Sequence, residues 1–398
     1  MFERFDLLPP DPILGLLAAF REDASPQKVD LGVGVYKDEQ GNTPVLEAVR
    51  LAEGQLLQEQ QTKTYLGPAG NDQFNAAIGK LVLGAEHPAL RDARVRTTQA
   101  PGGSGALRLG AELLAAARSG TVHVSDPTWA NHIPLLGSAG LKLERYPYYD
   151  ARHGTVNFDA MLATLEKLPA GDIVLLHGAC HNPTGADLSF EQWQAVTKVL
   201  QERSLVPFID LAYQGLGDGL DEDARGARLV ASSVPDALIA VSCSKNFGLY
   251  RERVGALIVV GQHSSHADAA ASHLRRIARG LYSMPPDHGA AVVARILGDA
   301  KLDAMWRKEL TQMRERVGEL RAALTQALAK TCPSRDFSAI ARQRGMFSLL
   351  DLPRGAAERL RAEHHIYIVT DGRTNVAGLS SGSIDYVAER IGVVLGSM

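Results

Sequence analysis

Residues 172–210 read DIVLLHGACHNPTGADLSFEQWQAVTKVLQERSLVPFID. The run from Asp172 to His177 is short and apolar along its centre, which is typical of a strand buried on both faces. Ser189, with a glutamine three residues later, predicts a capping box that opens a helix continuing through Arg203. A second apolar run, Leu205–Ile209, predicts another buried strand. A strand, a helix and a strand in this order predict a right-handed crossover between parallel neighbours.

The same alternation recurs along the middle of the chain. Further strands are predicted at Thr121–Ser125, Ala237–Ser242 and Gly255–Val260, and a helix at Ala106–Arg118 follows the glycine-rich stretch Pro101–Gly105. Strands that alternate with helices indicate an α/β fold, in which helices cover both faces of a mostly parallel sheet.

The C-terminal part has a different pattern. It predicts a long helix at Lys301–Lys330, strands at Met346–Leu350 and Ile366–Thr370, and a terminal helix from Ile384 to about Leu395. We interpret this part as a smaller α+β domain, packed against a helix that starts at Asp11–Leu14, because chain ends often meet at one surface. The predicted bounds are 1–43 for an N-terminal arm and part of the small domain, 44–311 for a large ligand-binding domain, and 312–398 for the small C-terminal domain.

The composition excludes several classes of protein. The chain has 398 residues, 45% hydrophobic and 22% charged, and a net charge of −3 without any basic block, so we expect no nucleic-acid partner. Cys180, Cys243 and Cys332 are too few and too scattered for a disulfide framework or a zinc cluster, so we expect a reducing compartment and no metal. No apolar run reaches membrane-spanning length and Met1–Asp6 lacks a signal-peptide core, so we expect a soluble, cytoplasmic protein without a membrane partner.

Polar residues follow the predicted strands at the edge where open parallel sheets bind ligands. They are Gly103–Gly105, Asp126–Trp129, His181–Gly185, Asp210–Tyr213 and Ser242–Lys245. Glycines, small hydroxyls, two carboxylates, one lysine and one tryptophan at a single rim suit a phosphorylated aromatic ligand.

Each of these signals has an ordinary structural alternative when it is taken alone. Gly102–Gly105 before a helix can cradle a phosphate, because helix N-termini favour anions, but for a lone glycine cluster a tight turn without a ligand is the more common explanation. It matches neither the dinucleotide fingerprint nor the nucleotide-phosphate loop. Asp210 is either a buried carboxylate that needs a cationic partner or a helix cap. Lys245 is either an amine whose pKa desolvation lowers or a surface lysine.

The combination of motifs is more specific. Ser242–Gly248, with Arg253 eight residues after the lysine, resembles the lysine motif of pyridoxal-phosphate enzymes of the aspartate aminotransferase fold. His181–Gly185 and Asp210–Gly215 are similar to that family's asparagine and aspartate/tyrosine motifs, and Leu31–Tyr36 and Gly372–Gly378 to its substrate-carboxylate elements. The chain thus resembles class I pyridoxal-phosphate-dependent aminotransferases, in the subgroup of aspartate and aromatic amino-acid aminotransferases, from Asp11 to Val394.

This resemblance implies the type I fold of pyridoxal-phosphate-dependent transferases, with a large α/β domain and a smaller α+β domain built from both chain ends. In such an enzyme Lys245 would hold the cofactor as a Schiff base and move a proton between the substrate α-carbon and the cofactor C4′. Asp210 would keep the pyridine nitrogen protonated, so that the ring acts as an electron sink. Tyr213 and Asn182 would hydrogen-bond to the phenolic oxygen.

The remaining cofactor contacts follow from the same resemblance. The phosphate would be bound by Gly103, Ser104, Ser242, Ser244 and Arg253. Trp129 would stack on the ring, and His132 would contact Asp210, although the sequence alone suggests only a buried histidine with satisfied hydrogen bonds. Tyr65 would reach the phosphate of the neighbouring subunit, which implies a homodimer with shared active sites.

Two arginines would bind the substrate. Arg373 would clamp the α-carboxylate, with Trp129, Asn182 and the Gly34 backbone nearby. Arg279, from the other subunit, would bind the side-chain carboxylate of dicarboxylic substrates.

The implied function is a transamination, in which an L-amino acid and 2-oxoglutarate exchange amino and keto groups through pyridoxal and pyridoxamine forms of the cofactor. Lys37 and Thr43 resemble the aspartate-specific relatives, Ser104 resembles the aromatic ones, and Thr64 and Met284 match neither. We expect an aromatic amino-acid transaminase that also accepts aspartate.

Alternatives remain open at this stage. One is a strict aspartate aminotransferase. Others are a lyase or decarboxylase with the same cofactor, and a non-catalytic binding protein with this fold, because a fold does not determine a reaction. The pair Arg279 and Arg373 favours transamination, since two carboxylate clamps suit both an amino acid and 2-oxoglutarate.

Overall fold

In a computed structural model, helices and strands alternate through most of the chain. The structure describes residues 1–8, 12–118 and 120–397, and for Pro12 it describes the backbone only. The helices are α1 (Pro12–Glu22), α2 (Glu47–Glu59), α3 (Asp72–Leu83), α4 (Pro88–Arg91), α5 (Gly102–Ala116), α6 (His132–Gly137), α7 (Phe158–Leu165), α8 (Phe190–Glu202), α9 (Arg225–Ser233), α10 (Ser264–Leu281), α11 (His288–Gly298), α12 (Ala300–Thr331), α13 (Ala339–Arg342), α14 (Ala356–His364) and α15 (Ile384–Gly396). The strands are β1 (Val29–Asp30), β2 (Val95–Pro101), β3 (Val122–Asp126), β4 (Leu143–Pro147), β5 (Tyr149–Asp150), β6 (Thr155–Val156), β7 (Ile173–His177), β8 (Val206–Leu211), β9 (Ala237–Ser242), β10 (Val254–Val260), β11 (Phe347–Leu349), β12 (Ile366–Tyr367) and β13 (Arg373–Asn375). Short 3₁₀ helices lie at Phe2–Arg4 and Val376–Gly378.

The chain divides into two compact units. One comprises residues 44–316 and 343–345, and the other residues 1–43, 317–342 and 346–398 as far as they are described.

A seven-stranded mixed sheet organises the first unit, in the order β2-β10-β9-β8-β7-β3-β4. Only β10 runs antiparallel to its neighbours, and the remaining pairs are parallel, which confirms the α/β class. The register places His177 opposite Asp210 and Ser242 opposite Gly255. The strand ends that carry polar residues therefore meet along one edge of the sheet.

The apolar sequence of the strands explains why they pair in the middle of this unit. Every residue of β9 and β10 is buried, which suits strands covered on both faces. Helix α5 packs on one face through a stripe that includes Leu107 and Leu114, and it encloses a core with Phe208. The predicted capping box is present at α8, where the Ser189 hydroxyl accepts from Gln192 N and the Gln192 side chain accepts from Ser189 N.

The second unit has its own core, built from both ends of the chain. Leu31 packs with residues of α12 and α15, such as Leu328 and Ile391. Two small sheets complete it: β1 pairs with β12 in parallel, and β11 pairs with β13 antiparallel. The smaller α+β part predicted from the sequence is thus confirmed, although Asp11, at its predicted helix start, lies outside the described residues.

Several element bounds differ from the prediction. The stretch predicted as a turn at Gly103–Gly105 is the first turn of α5, which begins at Gly102 and ends at Ala116 rather than Arg118. Asp210 lies inside β8 rather than after it. The two C-terminal strands are shorter than predicted, because β11 and β12 span only Phe347–Leu349 and Ile366–Tyr367. None of the helices in the described part of the chain is long and apolar enough to cross a membrane.

Helix α5 lies so close to the sheet that it leaves no space for a side chain at Gly110. A Cβ atom there would lie 2.4 Å from Phe208 Cζ. We expect Gly110→Ala to lower the free energy of unfolding by about 1–3 kcal/mol despite its better helix propensity, because the buried ring must shift. The measurement is the midpoint of urea denaturation.

Gly318→Ala is the matched control, because a Cβ on this α12 glycine meets no atom within 4 Å. It should raise the unfolding free energy by about 0.5–1 kcal/mol. Equal effects of the two substitutions would contradict the close packing at Gly110.

Candidate active site

The turn that carries Lys245 follows the end of β9. The Lys245 Nζ atom lies 4.9 Å from the centre of the Tyr213 ring. Trp306 of α12 supports this turn, because its Nε1 donates to Asn246 O at 2.7 Å and its ring stacks on Phe247 at 4.3 Å between centres. The lysine is therefore held on a turn that a buried tryptophan fixes.

Asp210 is buried near the end of β8, beside the histidine that the sequence suggested as its partner. His132 Nε2 donates to Asp210 Oδ2 at 3.0 Å. Burial opposes ionisation of this carboxyl, but the hydrogen bond and charge of His132, with His177 and Lys245, keep its pKa below the ordinary value. An ionised carboxylate is thus maintained inside the unit.

A chain of hydrogen bonds continues from His132. Thr128 Oγ1 lies 2.8 Å from His132 Nδ1 and 3.1 Å from His177 Nε2. Burial and the positive charge of His132 lower the pKa of His177 to about 3. The Thr128 hydroxyl therefore bridges the two rings, because it can donate to one ring nitrogen and accept from the other.

A third histidine extends this buried polar layer. The ring of His181 stacks on Tyr148 at 4.1 Å and lies 4.0 Å from the ring of His177. Its two nitrogens lie 3.0 Å from Ser125 Oγ and 2.9 Å from Thr184 Oγ1. Burial is the main cause that keeps the pKa of His181 well below its usual value.

Asn182 and Tyr213 are both buried in this unit. Asn182 Oδ1 is shielded from solvent and has no hydrogen-bond partner among the described residues. Leaving a buried polar atom unsatisfied costs about 1–3 kcal/mol, so such an atom suits a bound polar group. A bound donor would satisfy Oδ1 directly, and rotation of the amide by 180° would instead present Nδ2 to an oxygen of a bound group.

The start of α5 and the residues around it form a cradle of hydrogen-bond donors that suits an anion. Gly103 and Ser104 lie in the first turn, where the N–H groups have no acceptor within the helix. A Cβ on Gly102 would lie 2.4 Å from Arg253 Nη2, so the guanidinium reaches the helix start only because glycine stands there.

Two serines line the same cradle. Arg253 Nη1 donates to Ser244 Oγ at 3.4 Å, and a Cβ on Gly103 would lie 3.0 Å from the Cβ of Ser242. The donor set of N–H groups, hydroxyls and one guanidinium fits a phosphate.

Trp129 is partly exposed and lies against His132, with ring centres 5.2 Å apart in an edge-on arrangement. A flat aromatic surface, an ionised aspartate, an amine and a phosphate cradle are thus present in one unit. These groups fit a phosphorylated pyridine such as pyridoxal phosphate.

The other unit contains Arg373, which is buried on β13. Its Nη2 donates to Gly32 O at 2.6 Å, and its guanidinium lies 4.6 Å from the centre of the Phe347 ring. Gly34 is required beside that ring, since a Cβ would lie 2.7 Å from Phe347 Cζ. Asn375 shapes the same loop, because its Nδ2 donates to the carbonyl oxygens of Val33 and Val35.

Two residues that resemble aspartate-specific relatives hold this loop. Lys37 Nζ forms an ion pair with Asp30 Oδ2 at 3.1 Å, where both side chains are largely buried. Thr43 Oγ1 donates to Tyr36 O at 2.9 Å. Lys37 Nζ also lies 5.5 Å from the centre of the Phe20 ring in α1, so these contacts stay within the unit built from the chain ends.

Tyr65 and Arg279 lie at the surface of the large unit. Tyr65 is 91% exposed, and Arg279 near the end of α10 is exposed and hydrogen-bonded to Ser283 Oγ. Within the described part of the chain, neither forms a hydrogen bond or ion pair with Lys245, Asp210, Tyr213 or Arg253. Met284 connects their segments, because its sulfur accepts from Leu66 N at 3.2 Å.

Four residues around the site were not predicted. Thr128 and His177 extend the hydrogen-bond chain of Asp210, His181 stacks in the histidine layer, and Trp306 supports the lysine turn. Trp306 lies about sixty positions from the residues that it contacts, and no local pattern marks such a contact. Of these four residues, Thr128 and His181 belong to the polar stretches named in the sequence analysis, and His177 is the last residue of a predicted strand.

The comparisons with known proteins agree with this architecture. The sequence profile of "Aminotransferase class I and II" matches residues 26–391. The solved structure of an aromatic-amino-acid aminotransferase from Burkholderia pseudomallei, covalently bound to pyridoxal phosphate, is similar with a TM-score of 0.96 and 45% identity, over 99% of each chain. The fold is that of the pyridoxal-phosphate-dependent aminotransferases.

The chain belongs to the class I and II aminotransferase family, and it is an enzyme of that class. It is 49% identical to the aromatic-amino-acid aminotransferase of Pseudomonas aeruginosa over 394 residues, which cover 99% of this chain and 98% of that protein. It is 46% identical to the aspartate aminotransferase of Escherichia coli over 396 residues, which cover 99% and 100%. The family predicted from the motifs is thereby confirmed.

The neutral histidines make stability depend on pH. Because the pKa of His177 is about 3 in the folded chain and about 6.5 unfolded, its contribution is fully present above pH 6.5 and is lost as the pH falls toward 3. From pH 7 to pH 5 this one group should cost about 2 kcal/mol of unfolding free energy. His177→Gln should lose correspondingly less over that interval in urea denaturation, and an identical loss in both proteins would contradict the neutral state.

Proposed function

We propose that this aminotransferase moves the amino group of an aromatic L-amino acid or of aspartate to 2-oxoglutarate, with pyridoxal phosphate as its cofactor. The observation that carries the proposal is the arrangement of Lys245 beside the Tyr213 ring, with the ionised Asp210–His132 pair in the same unit. The reaction is ping-pong: the donor leaves its amino group on the enzyme before 2-oxoglutarate enters.

Asp210 has the central electrostatic task. When bound, pyridoxal phosphate supplies a protonated pyridine ring that withdraws electrons from the α-carbon of the substrate. The Asp210 carboxylate, kept ionised by His132, holds the proton at the ring nitrogen. The buried chain through Thr128 and neutral His177 keeps His132 oriented toward the carboxylate.

The other residues of the large unit bind and orient the ring. Arg253, Ser242, Ser244 and the first-turn N–H groups of Gly103 and Ser104 bind the phosphate. Trp129 covers the ring face, and Asn182 and Tyr213 donate to its phenolic oxygen. The unsatisfied Asn182 Oδ1 supports this role, because amide nitrogen and oxygen positions are interchangeable by rotation.

Lys245 carries out the proton transfer. Its amine would hold the cofactor and, once a substrate amine has displaced it, would move a proton between the substrate α-carbon and C4′ of the cofactor. The support from Trp306 and Phe247 fixes the turn from which this amine works.

Two arginines select the substrate. Arg373 forms a bidentate contact with the α-carboxylate, beside the Gly34 backbone, and its bond to Gly32 O fixes the orientation of the guanidinium. Arg279 binds the second carboxylate of aspartate, glutamate or 2-oxoglutarate. Its exposed position at the end of α10, like that of Tyr65, supports action in a neighbouring subunit, so we propose a homodimer.

We favour dual specificity for aromatic amino acids and aspartate. The similar proteins include enzymes named for both substrate types. Apolar Leu281 and Met284 near Arg279 leave an environment that tolerates a ring. A strict aspartate aminotransferase is the alternative, favoured by Lys37 and Thr43.

The organisation of the chain follows the same proposal. We assign cofactor binding to the unit built mainly from residues 44–316, and the α-carboxylate clamp to the unit built from the chain ends. The low cysteine content supports a cytoplasmic enzyme.

Lys245→Ala tests the reaction itself. The variant should still bind pyridoxal phosphate through the phosphate cradle but lose about 10²–10⁴-fold or more in kcat, because the proton-transfer group is gone. Borohydride reduction of the wild-type protein should attach the cofactor mass to the peptide that contains Lys245, as read by mass spectrometry. Lys80→Ala, an exposed lysine on α3, is the control with unchanged kcat. Label on another lysine alone would refute the assignment.

Arg279 and Arg373 should differ in their effects on substrates. Arg373→Ala should weaken kcat/KM for aspartate and phenylalanine alike, because every amino acid carries the α-carboxylate. Arg279→Ala should penalise aspartate selectively, by about 2–5 kcal/mol, or tens- to thousands-fold. Arg276→Ala, on an exposed neighbour in α10, is the control.

The same variants test the shared site. Hybrids of Lys245→Ala and Arg279→Ala subunits should recover aspartate activity that neither parent has, since one of the two sites is then intact. Verified hybrids without recovery would place Arg279 in the site of its own subunit or outside the site.

A further inference from the structure

The loop that carries Asn182 is shaped by a partly buried carboxylate that has no part in the mechanism above. Asp187 Oδ2 accepts from Cys180 N at 2.6 Å, and Oδ1 accepts from His181 N at 2.8 Å. These are the two peptide N–H groups directly before Asn182. Cys180 has a φ of 55°, a left-handed conformation that costs a non-glycine residue about 1 kcal/mol or more and needs support from its surroundings. The carboxylate supplies that support.

The loop that follows Tyr213 is built in the same way. Asp223 is buried, and its Oδ2 accepts from Gly215 N at 2.8 Å and from Gly217 N at 2.9 Å. Its Oδ1 accepts from Asp218 N at 2.8 Å. A Cβ on Gly217 would lie 2.5 Å from this oxygen, so the backbone closes tightly around the carboxylate. One aspartate thus orders the chain directly after Tyr213.

The two loops are also connected to each other. Arg344 N donates to Gly185 O at 2.7 Å in the first loop, and Arg344 Nε donates to Asp218 Oδ1 at 2.5 Å in the second. Burial raises the pKa of Asp187 to about 6; the charge of Asp223 adds to this effect, and the charge of Arg344 opposes it. The pKa of Tyr148 is raised mainly by burial and, to a smaller extent, by the charge of Asp187.

We propose that Asp187 and Asp223 are positioning residues, which set how well Asn182 and Tyr213 hydrogen-bond to the ring oxygen of the cofactor. This inference rests on the proposed function, in which those two side chains donate to that oxygen. Each aspartate acts through the backbone of one loop: Asp187 through Asn182, and Asp223 through Tyr213. Both oxygens of each carboxylate accept backbone N–H groups of the loop.

The spectroscopic consequence follows from charge on the ring oxygen. A well-placed donor draws electron density from this oxygen and weakens its hold on the proton that it shares with the Lys245 nitrogen. Poorer placement of the donor should therefore raise the pH midpoint of the absorbance change of the bound cofactor. One hydrogen bond corresponds to about 0.5–1 pH unit.

The experiment is a pair of double-mutant cycles on the substrate-free holoenzyme, read as that pH midpoint. Asp187→Asn keeps the size of the side chain but can accept only one of the two N–H groups. Asp187→Asn should raise the pH midpoint by about 0.5 unit or more when it is the only substitution. When Asn182→Ala is already present, Asp187→Asn should change the midpoint little further. Asp223→Asn should behave in the same way toward Tyr213→Phe. Each aspartate variant should keep its full shift in the background that lacks the other loop's donor.

Asp221→Asn is the control, because this residue lies two positions before Asp223 but is 72% exposed and pairs with Arg228 at the surface. Its midpoint should equal that of the wild type. The thermal midpoint of the cofactor-free protein is measured in parallel, because a purely structural role would lower it while leaving the pH midpoint in place.

The outcomes separate the two levels of the proposal. An unmoved pH midpoint in Asp187→Asn and Asp223→Asn, or equal shifts with and without Asn182 and Tyr213, would overturn the positioning role alone. A wild-type protein that binds no cofactor with a visible absorbance band would overturn the proposed function as well. If one aspartate variant does not fold, the cycle on the other loop gives the same decision.

Discussion

The structure depends most on a buried ionised carboxylate, that of Asp210. A carboxylate without water is unstable unless hydrogen bonds and opposite charge replace its solvation. His132 contacts the carboxylate directly. Thr128 hydrogen-bonds to both His132 and neutral His177, and these bonds fix the orientation of the two rings. The arrangement also requires that His177 and His181 stay uncharged inside the unit. Loss of solvation is the main cause that lowers the pKa of each of them.

The sheet makes this arrangement possible by bringing separate stretches of chain to one edge. Strands β7, β8 and β9 end side by side, and each is followed by a turn with one chemical task in the proposed mechanism. The antiparallel strand β10 brings Arg253 back to the same edge just before it enters the sheet. Small residues are needed there, since Gly102 and Gly103 let the guanidinium and Ser242 approach the start of α5. Rigid strands thus set the positions, and short turns supply the functional groups.

The sequence predicted those parts of the fold whose signals are local. The apolar runs of β7, β9 and β10 and the capping box of α8 are patterns of neighbouring residues, and they were found in place. Strands β2 and β4 were not predicted, because polar residues such as Arg96 and Glu144 interrupt their apolar pattern. The family followed from motifs in a fixed order. The roles of the individual site residues and the domain bounds stay predictions.

Contacts between distant residues were beyond such patterns. The aspartates at 187 and 223 look like ordinary loop residues in the sequence, and only the folded backbone shows which N–H groups they accept. The same holds for Trp306, whose indole finds its partner about sixty positions earlier. Sequence motifs identified the residues of the proposed chemistry, whereas the groups that hold them in place became visible only in three dimensions.

The division of the chain has a consequence for how the protein is made. Leu31 belongs to a core whose other members, such as Leu328 and Ile391, are translated last. During synthesis, apolar side chains of the first forty residues therefore stay exposed to solvent until about three hundred further residues have been added. Residues 343–345 belong to the larger unit, so its last contacts form only after Arg344 has been translated. Contacts of such long sequence separation slow folding and expose the nascent chain to aggregation.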